Sequence, residues 1–314
     1  MRDVILQDYE IRKSNKEKQR FIDYIKLRLG KAGYDAESDI TVEEKGKGVF
    51  KSRNIVVGNP STAKVLIGAH YDTCAMLPFP NFMSPTNPVL FIISQIVITI
   101  MLLALDLAVG VIAMFITKNG EIAYMTSLVF LWVLIVHMLI GYRNSHTAND
   151  NTSGTIAITR VLEVLPKEAR DKVCVVYFDN EEKGLLGSEF FYKKHKKEVN
   201  NKLLINIDCI GDGKEILFLS KKDARKDADY NCMLEVLKEC VNDHDVELLF
   251  RNMKPMMFPS DQIHFSKGIG VCAVKKSPIG RYVARIHTPF DTICREANIN
   301  YIVDSMKKFV ECIQ

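Results

Sequence analysis

The sequence is most informative first in what it lacks. Its 314 residues contain no Cys-x-x-Cys pair; the eight cysteines, Cys74, Cys174, Cys209, Cys232, Cys240, Cys272, Cys294 and Cys312, are scattered. That spacing excludes a structural zinc knuckle and thioredoxin-like chemistry, and fits a reducing compartment better than a disulfide framework. No basic stripe interleaves with aromatics. The net charge is only +4, and basic residues are interleaved with acidic ones, as where Lys193-Lys194-His195-Lys196-Lys197 runs into Glu198. Nucleic acid is therefore not expected as a partner. The segment Met1 to Arg20 is charged throughout and lacks the apolar core of a signal peptide. The first part of the chain is accordingly expected in the cytoplasm. There is no internal repeat or low-complexity tract, and 47% hydrophobic with 25% charged residues argues against intrinsic disorder.

Charge is also missing from one long stretch. Of 42 basic and 38 acidic residues, only Asp106, Lys118, Glu121 and Arg143 fall between Thr73 and Asn144. A mean hydropathy of +0.01 thus averages two very different materials. Val89 to Thr117 is apolar apart from Asp106, Lys118-Asn119-Gly120-Glu121 reads as a turn, and Ile122 to Ile140 carries no acid, Lys or Arg. A spanning helix needs roughly 20 apolar residues. Both runs are apolar all round, and Tyr124, Trp132 and Tyr142 lie near the second. The expectation is a transmembrane hairpin with helices at about 89–117 and 122–141, contacting the lipid bilayer through residues 89–141. The alternative is a buried or dimer-forming helical pair. A hairpin returns the chain to the side it left, so a multi-pass cell-membrane protein with a cytoplasmic catalytic domain is expected. Asp106 and His137 are candidates for a mutual pair at similar depth; otherwise each faces a neighbouring helix or water.

Outside this block the pattern alternates between strand and helix. Asn15–Leu29 is an amphipathic helix with Phe21, Ile25 and Leu29 on one face. Gly48–Phe50, Asn54–Val57, Lys64–His70, Lys172–Phe178, Leu204–Ile207 and Gly270–Val274 read as strands. Ser153–Val164 and Asn300–Ile313 read as helices. This is an α/β fold with an open, mixed, mostly parallel sheet flanked by helices, plus the inserted hydrophobic hairpin, and its site is expected at the strand ends. Residues 1–72 and 145–314 form one discontinuous catalytic domain, and 73–144 the insert.

Polar residues gather at those strand ends: His70 and Asp72 in GAHYDT, Asp150 in TANDNTSG, Glu181 and Glu182 in FDNEEKGLLGS, Asp208 in NIDCIG and His287 in RIHTPFDT. Imidazole with carboxylate suits zinc and, more loosely, manganese or cobalt. Five ligands are too many for one tetrahedral ion and suit two ions sharing a carboxylate.

These segments resemble, in order, the co-catalytic di-zinc aminopeptidases, which include bacterial leucyl aminopeptidase, glutamate carboxypeptidase and, as a relative, glutaminyl cyclase. The shared blocks are His70-Tyr71-Asp72, Asp150-Asn151-Thr152-Ser153-Gly154, Glu181 to Ser188, Asn206-Ile207-Asp208, Ser260-Asp261 and His287-Thr288-Pro289-Phe290-Asp291-Thr292. They cover the chain from about Asn15 to Ile313 without the apolar block. The resemblance implies that Asp150 bridges two Zn2+ ions (Mn2+ or Co2+ being substitutes), with His70 and Asp208 completing one site and Glu182 and His287 the other. It further implies that Glu181 is the general base and that Asp72 orients His70. A metal-bridging hydroxide would then hydrolyse peptides with a free N-terminus. Gly154, Gly184 and Gly187 have backbone roles in this scheme, a close helix start and a tight loop.

The chain departs from the family in three places. Met257 stands where relatives often carry a tyrosine just before the Ser-Asp pair, with Arg281 and Tyr282 as candidate substitutes. Gln262 follows Asp261 where many relatives have histidine. The hairpin itself fills what is usually a short loop, with Pro78, Pro80, Pro85 and Pro88 stiffening its approach. Two other readings are a metal-free scaffold or receptor-like membrane domain, against which the full ligand set counts, and glutaminyl-cyclase-like acyl transfer, which in the family does not need the first histidine. Homo-oligomerisation is left open.

Overall fold

The computed structural model describes residues 3–77 and 81–313. Nine strands form one sheet: β1 (Ile40–Lys45), β2 (Ser52–Val57), β3 (Val65–His70), β4 (Val173–Phe178), β5 (Leu203–Ile207), β6 (Glu215–Ser220), β7 (Glu247–Asn252), β8 (Gly268–Ser277) and β9 (Gly280–Tyr282). Their order is β1-β2-β4-β3-β5-β8-β6-β7, with β9 on the end of β8. The central run β4-β3-β5-β8 is parallel, while β2 on one flank and β6 on the other join it antiparallel. The sheet is thus parallel at its centre and mixed outward.

The central strands are buried along their whole length, as strands covered on both faces must be. Alternation divides their side chains. Val65, Ile67, Ala69, Val173, Val175 and Tyr177 enter one core, while Leu66, Cys174, Val176 and Phe178 enter the other. The first core is closed by α2 (Asn15–Lys31), α5 (Gly154–Val164), α7 (Ala228–Cys240) and α8 (Glu296–Cys312), and the second by α6 (Leu186–Val199) through Phe191 and Val199. The short α1 (Val4–Asp8) adds Ile5 to the first core. Helix α2 starts at a reciprocal capping box between Ser14 and Glu17.

Gly48–Phe50 is a single exposed helical turn, not a strand. Gly46 and Gly48 both take positive φ (88° and 60°) and turn the chain out of the sheet. The first strand, β1, is instead an edge strand whose charged, half-exposed alternation carries little apolar signal. The eight cysteines are unbridged, although the Cys232 and Cys312 sulfurs, on α7 and α8, lie 2.8 Å apart.

The hairpin consists of α3 (Pro88–Thr117) and α4 (Gly120–Ile140), packed on each other. Lys118 turns the chain in the left-handed region (φ 52°), and the Asn119 side chain caps α4. Both helices are long and apolar enough to cross a membrane, about 45 and 32 Å at 1.5 Å per residue. Their side chains lie bare: Phe115 is 79% exposed and Trp132 67%. This excludes a buried helical pair. Asp106 and His137 do not pair. Asp106 accepts a hydrogen bond from the Ser127 hydroxyl (2.6 Å), and His137 Nε2 meets the Met76 carbonyl at 3.1 Å. Close approach of the two helices puts the short serine within reach of Asp106, whereas His137 lies at the base of α4 beside Met76, in the segment that follows β3. Pro88 is the first residue of α3; Pro78 and Pro80 lie outside the described residues.

Candidate metal centre

The parallel strands end together, and the site residues follow those ends. His70 closes β3, Glu181 and Glu182 follow β4, Asp208 follows β5, and Asp150 precedes α5. His287 comes from the loop between β9 and α8. Burial of the hydrophobic strands therefore delivers the polar residues to one crevice.

Asp150 lies at its centre. Its Oδ1 is 3.3 Å from His70 Nε2 and its Oδ2 is 3.1 Å from His287 Nε2. His70 Nε2 also lies 3.3 Å from Asp208 Oδ1, and His287 Nε2 lies 3.3 Å from Glu182 Oε2. Two donor groups thus share one carboxylate, with His70 and Asp208 on one side and His287 and Glu182 on the other. Donor atoms of His70, Asp150 and Asp208 are all within 4.8 Å of one another, as are those of His70, Glu181 and Glu182, and of Cys74, Glu182 and His287.

Asp72 stands behind this layer. Its carboxylate accepts hydrogen bonds from the Glu181 and Glu182 N–H groups (2.9 and 3.3 Å), and its Oδ1 is 3.7 Å from His70 Nδ1. The His70 Nδ1 faces the Asp72 carbonyl at 3.1 Å, leaving Nε2 directed at Asp150 and Asp208. Asp72 therefore holds the imidazole and both glutamates in register. Gly184 takes φ +93° in the loop that returns to α6, and a side chain at Gly154 would press on Asn151 and the Ile207 carbonyl. Asn180, Leu185, Cys209, Arg285 and His287 also have left-handed backbone (φ 54–62°), and backbone strain of this kind collects at functional sites.

The electrostatics show an excess of buried negative charge. Burial, with Glu182 and Asp208 nearby, holds the Glu181 carboxyl well above its ordinary value despite His70. Burial pushes Glu182 up to about 8, against the pull of His287. Burial opposes charge on the imidazoles, yet Asp208 and Glu181 raise His70, and Glu182 and Asp150 raise His287 to about 9. Burial also pushes Asp261 up to about 7. Glu182 Oε1 is buried without accepting a hydrogen bond, and Asp208 Oδ1 meets only His70 Nε2, at 3.3 Å. A buried set of imidazole and carboxylate donors with unsatisfied oxygens fits divalent cations of the zinc type.

Several residues that shape the centre carry no obvious signal in the sequence. Asp291 is visible as part of a motif, but its task is not. Its two oxygens accept the N–H groups of Asn149 and Asp150 (2.7 and 3.0 Å). Asn151 ties the same turn to the end of β5 through the Ile207 carbonyl and the Cys209 N–H. Buried Arg12 holds the floor, donating to the Tyr71 and Tyr9 carbonyls and to Thr152. Of the candidate oxyanion groups, Arg281 is taken by Glu215 and Tyr282 stacks on Phe82. Asp291→Asn should present an amide donor to one of two N–H groups and let Asp150 drift. A 10–100-fold loss of metal affinity is expected, read by competition with a chromogenic chelator. Unchanged affinity would remove Asp291 from this role.

A model described as Peptidase family M28 matches residues 136–306. Among solved structures, the LapA aminopeptidase of Legionella pneumophila is similar over 98% of this chain and 68% of its own, at 13% identity and a TM-score of 0.54. The glutaminyl cyclase of Bacteroides thetaiotaomicron is similar over 98% and 94%, at 14% identity and a TM-score of 0.57. The glutaminyl cyclase of Macrostomum lignano is similar over 98% and 86%, at 11% identity and the same TM-score of 0.57. At such identities these likenesses concern the fold. No curated protein matches the sequence.

Proposed function

The chain belongs to peptidase family M28, and on that footing we propose that it is a membrane-anchored, zinc-dependent aminopeptidase. The observation that carries the reading is the shared carboxylate, with Asp150 offering one oxygen to the His70–Asp208 group and the other to the His287–Glu182 group. These five side chains would hold two ions. Zinc bound there supplies Lewis acidity, acidifying a water and polarising the scissile carbonyl.

The remaining work falls to the chain. Glu181 is half-buried, within 4.8 Å of the His70 and Glu182 donor atoms, but among the described residues it forms no ion pair with either histidine. It is therefore free to take a proton from the attacking water and pass it to the leaving amine. Its raised affinity for a proton suits that exchange. Asp72 fixes the backbone of both glutamates and the ring of His70. The anionic crevice attracts the α-ammonium group of a peptide, which favours N-terminal residues over internal bonds. Asp261, buried nearby, adds to that field.

Digestion of a peptide library, with products identified by mass spectrometry, tests the activity. Sequential loss of N-terminal residues is expected, abolished by chelator and by N-acetylation. Release of C-terminal residues, or cyclisation of N-terminal glutamine without hydrolysis, would point to another member chemistry. The hairpin is read as an anchor with its turn outside the cell and the α/β domain in the cytoplasm. Asn119→Cys should react with an impermeant thiol reagent added to intact cells, above the background of the native cysteines. Labelling only after lysis would reverse the orientation.

A further inference from the structure

A second cavity, of about 470 Å³, opens at the C-terminal end of α4. Four separate segments build it: Lys13 and Glu17 around the start of α2, Val49, Lys183 directly after Glu182, and Ile140, Tyr142 and Arg143 at the foot of α4. Arg143 is neutralised by Glu17 at 2.6 Å. The two half-buried lysines meet neutral acceptors instead. Lys13 Nζ lies 3.4 Å from the Leu139 carbonyl, and Lys183 Nζ donates to the Asn180 side-chain oxygen (3.0 Å) and the Val49 carbonyl. Among the described residues, neither has a carboxylate within ion-pair distance. Glu17, which also lines the cavity, is taken by Arg143, so the two lysines leave it net positive, although burial lowers both pKa values, that of Lys183 to about 8.

Its rim is apolar and basic at once. The turn Gly48–Phe50 leaves Val49 48% and Phe50 49% exposed, flanked by Lys45, Lys47 and Lys51. It is pinned over the cavity by Asn15, which donates to the Gly48 carbonyl (3.2 Å), and by Lys183. Tyr142, on the other side, is 80% exposed. Apolar tips between lysines, level with the last turn of a spanning helix, match the headgroup zone of a bilayer.

We propose that this cavity binds the headgroup of an anionic phospholipid, its phosphate between Lys13 and Lys183 and its acyl chains along the bare face of α4. The site rests on the membrane reading of α3 and α4. A soluble peptide anion would need the lysines but not the apolar turn or the exposed helix foot, and these favour a lipid. The cavity also adjoins the metal centre. Lys183 continues from Glu182, and Arg143 pairs by a β-bridge with Ala75, next to Cys74, which lies within 4.8 Å of the Glu182 and His287 donor atoms. A bound headgroup would brace the Glu181–Glu182 loop from outside.

The test uses the full-length chain, extracted in mild detergent and examined by native mass spectrometry with phosphatidylglycerol and phosphatidylcholine in competition. Preferential retention of about one phosphatidylglycerol per chain is expected. Lys13→Gln and Lys183→Gln should each weaken retention about fivefold, while Lys13→Arg and Lys183→Arg retain it. Zinc content equal to the parent shows that a variant has folded. Equal retention of the two lipids, or retention unchanged in the glutamine variants, overturns the proposal. So does displacement of the lipid by inorganic phosphate or by a short peptide with a free carboxylate, since that identifies a soluble-anion site. Release of the chain from membranes by alkaline carbonate is scored separately. It would remove the membrane reading itself, whatever the lipid competition shows.

Discussion

Glu181→Gln is expected to lower hydrolysis of aminoacyl reporters by about 10²- to 10⁴-fold, the usual contribution of a positioned general base, with zinc content and thermal midpoint at the parent values. The substitution keeps the size and most of the polarity of the side chain. The Glu181 N–H still donates to Asp72 Oδ1 at 2.9 Å, so the loop and the neighbouring Glu182 stay in place. What disappears is the ability to accept and return a proton. Glutamate at this position sits half-buried among His70, Glu182, Asp208 and Asp261, and desolvation with the neighbouring carboxylates raises its affinity for a proton. A ligand would lose metal on amidation; a base loses turnover alone. Retained turnover would take the proton transfer away from Glu181, and lost zinc would make it a ligand.

Asp150→Asn is expected to have the largest effect on the metal. The side chain presents one oxygen to each histidine, and each histidine is shared with a further carboxylate, Asp208 or Glu182. Asparagine keeps the volume but replaces one oxygen by an amide that cannot ligate. One half of the centre then loses its shared donor, and the other must hold its ion with less negative charge. Elemental analysis should fall below one zinc per chain, with hydrolysis at background, and added zinc should not restore it. The Asp150 N–H bond to Asp291 is a backbone contact that the change leaves in place, so the variant is expected to fold. Two zinc ions retained by this variant would show that the halves do not share Asp150.

What was legible in the sequence depended on how local the cause is. The central strands are readable because burial on both faces demands unbroken apolar runs such as VLIGAH and VCVVYF, and each ends where polar residues begin. His70, Asp150, Glu181, Glu182, Asp208 and His287 stand at those ends or in the adjoining loops, and the crevice brings them together with Asp72 behind. The antiparallel flanks were less visible. In β1 charged residues interrupt the apolar ones, and glycines at 46 and 48 turn an apparent strand into an exposed loop. Positioning residues were the hardest to read. Arg12 reaches Thr152 across 140 residues, and Asp291 reaches Asp150 across 141. Nothing in the local pattern marks such contacts. In the hairpin, Asp106 finds Ser127 rather than His137 because helix packing, not depth alone, selects partners.

Zinc titration of the metal-free, full-length chain in detergent, followed by calorimetry, goes to the heart of the proposal. Two tight equivalents per chain are expected, with fewer than one in Asp150→Asn. No tight binding at all would contradict a metal centre at these residues.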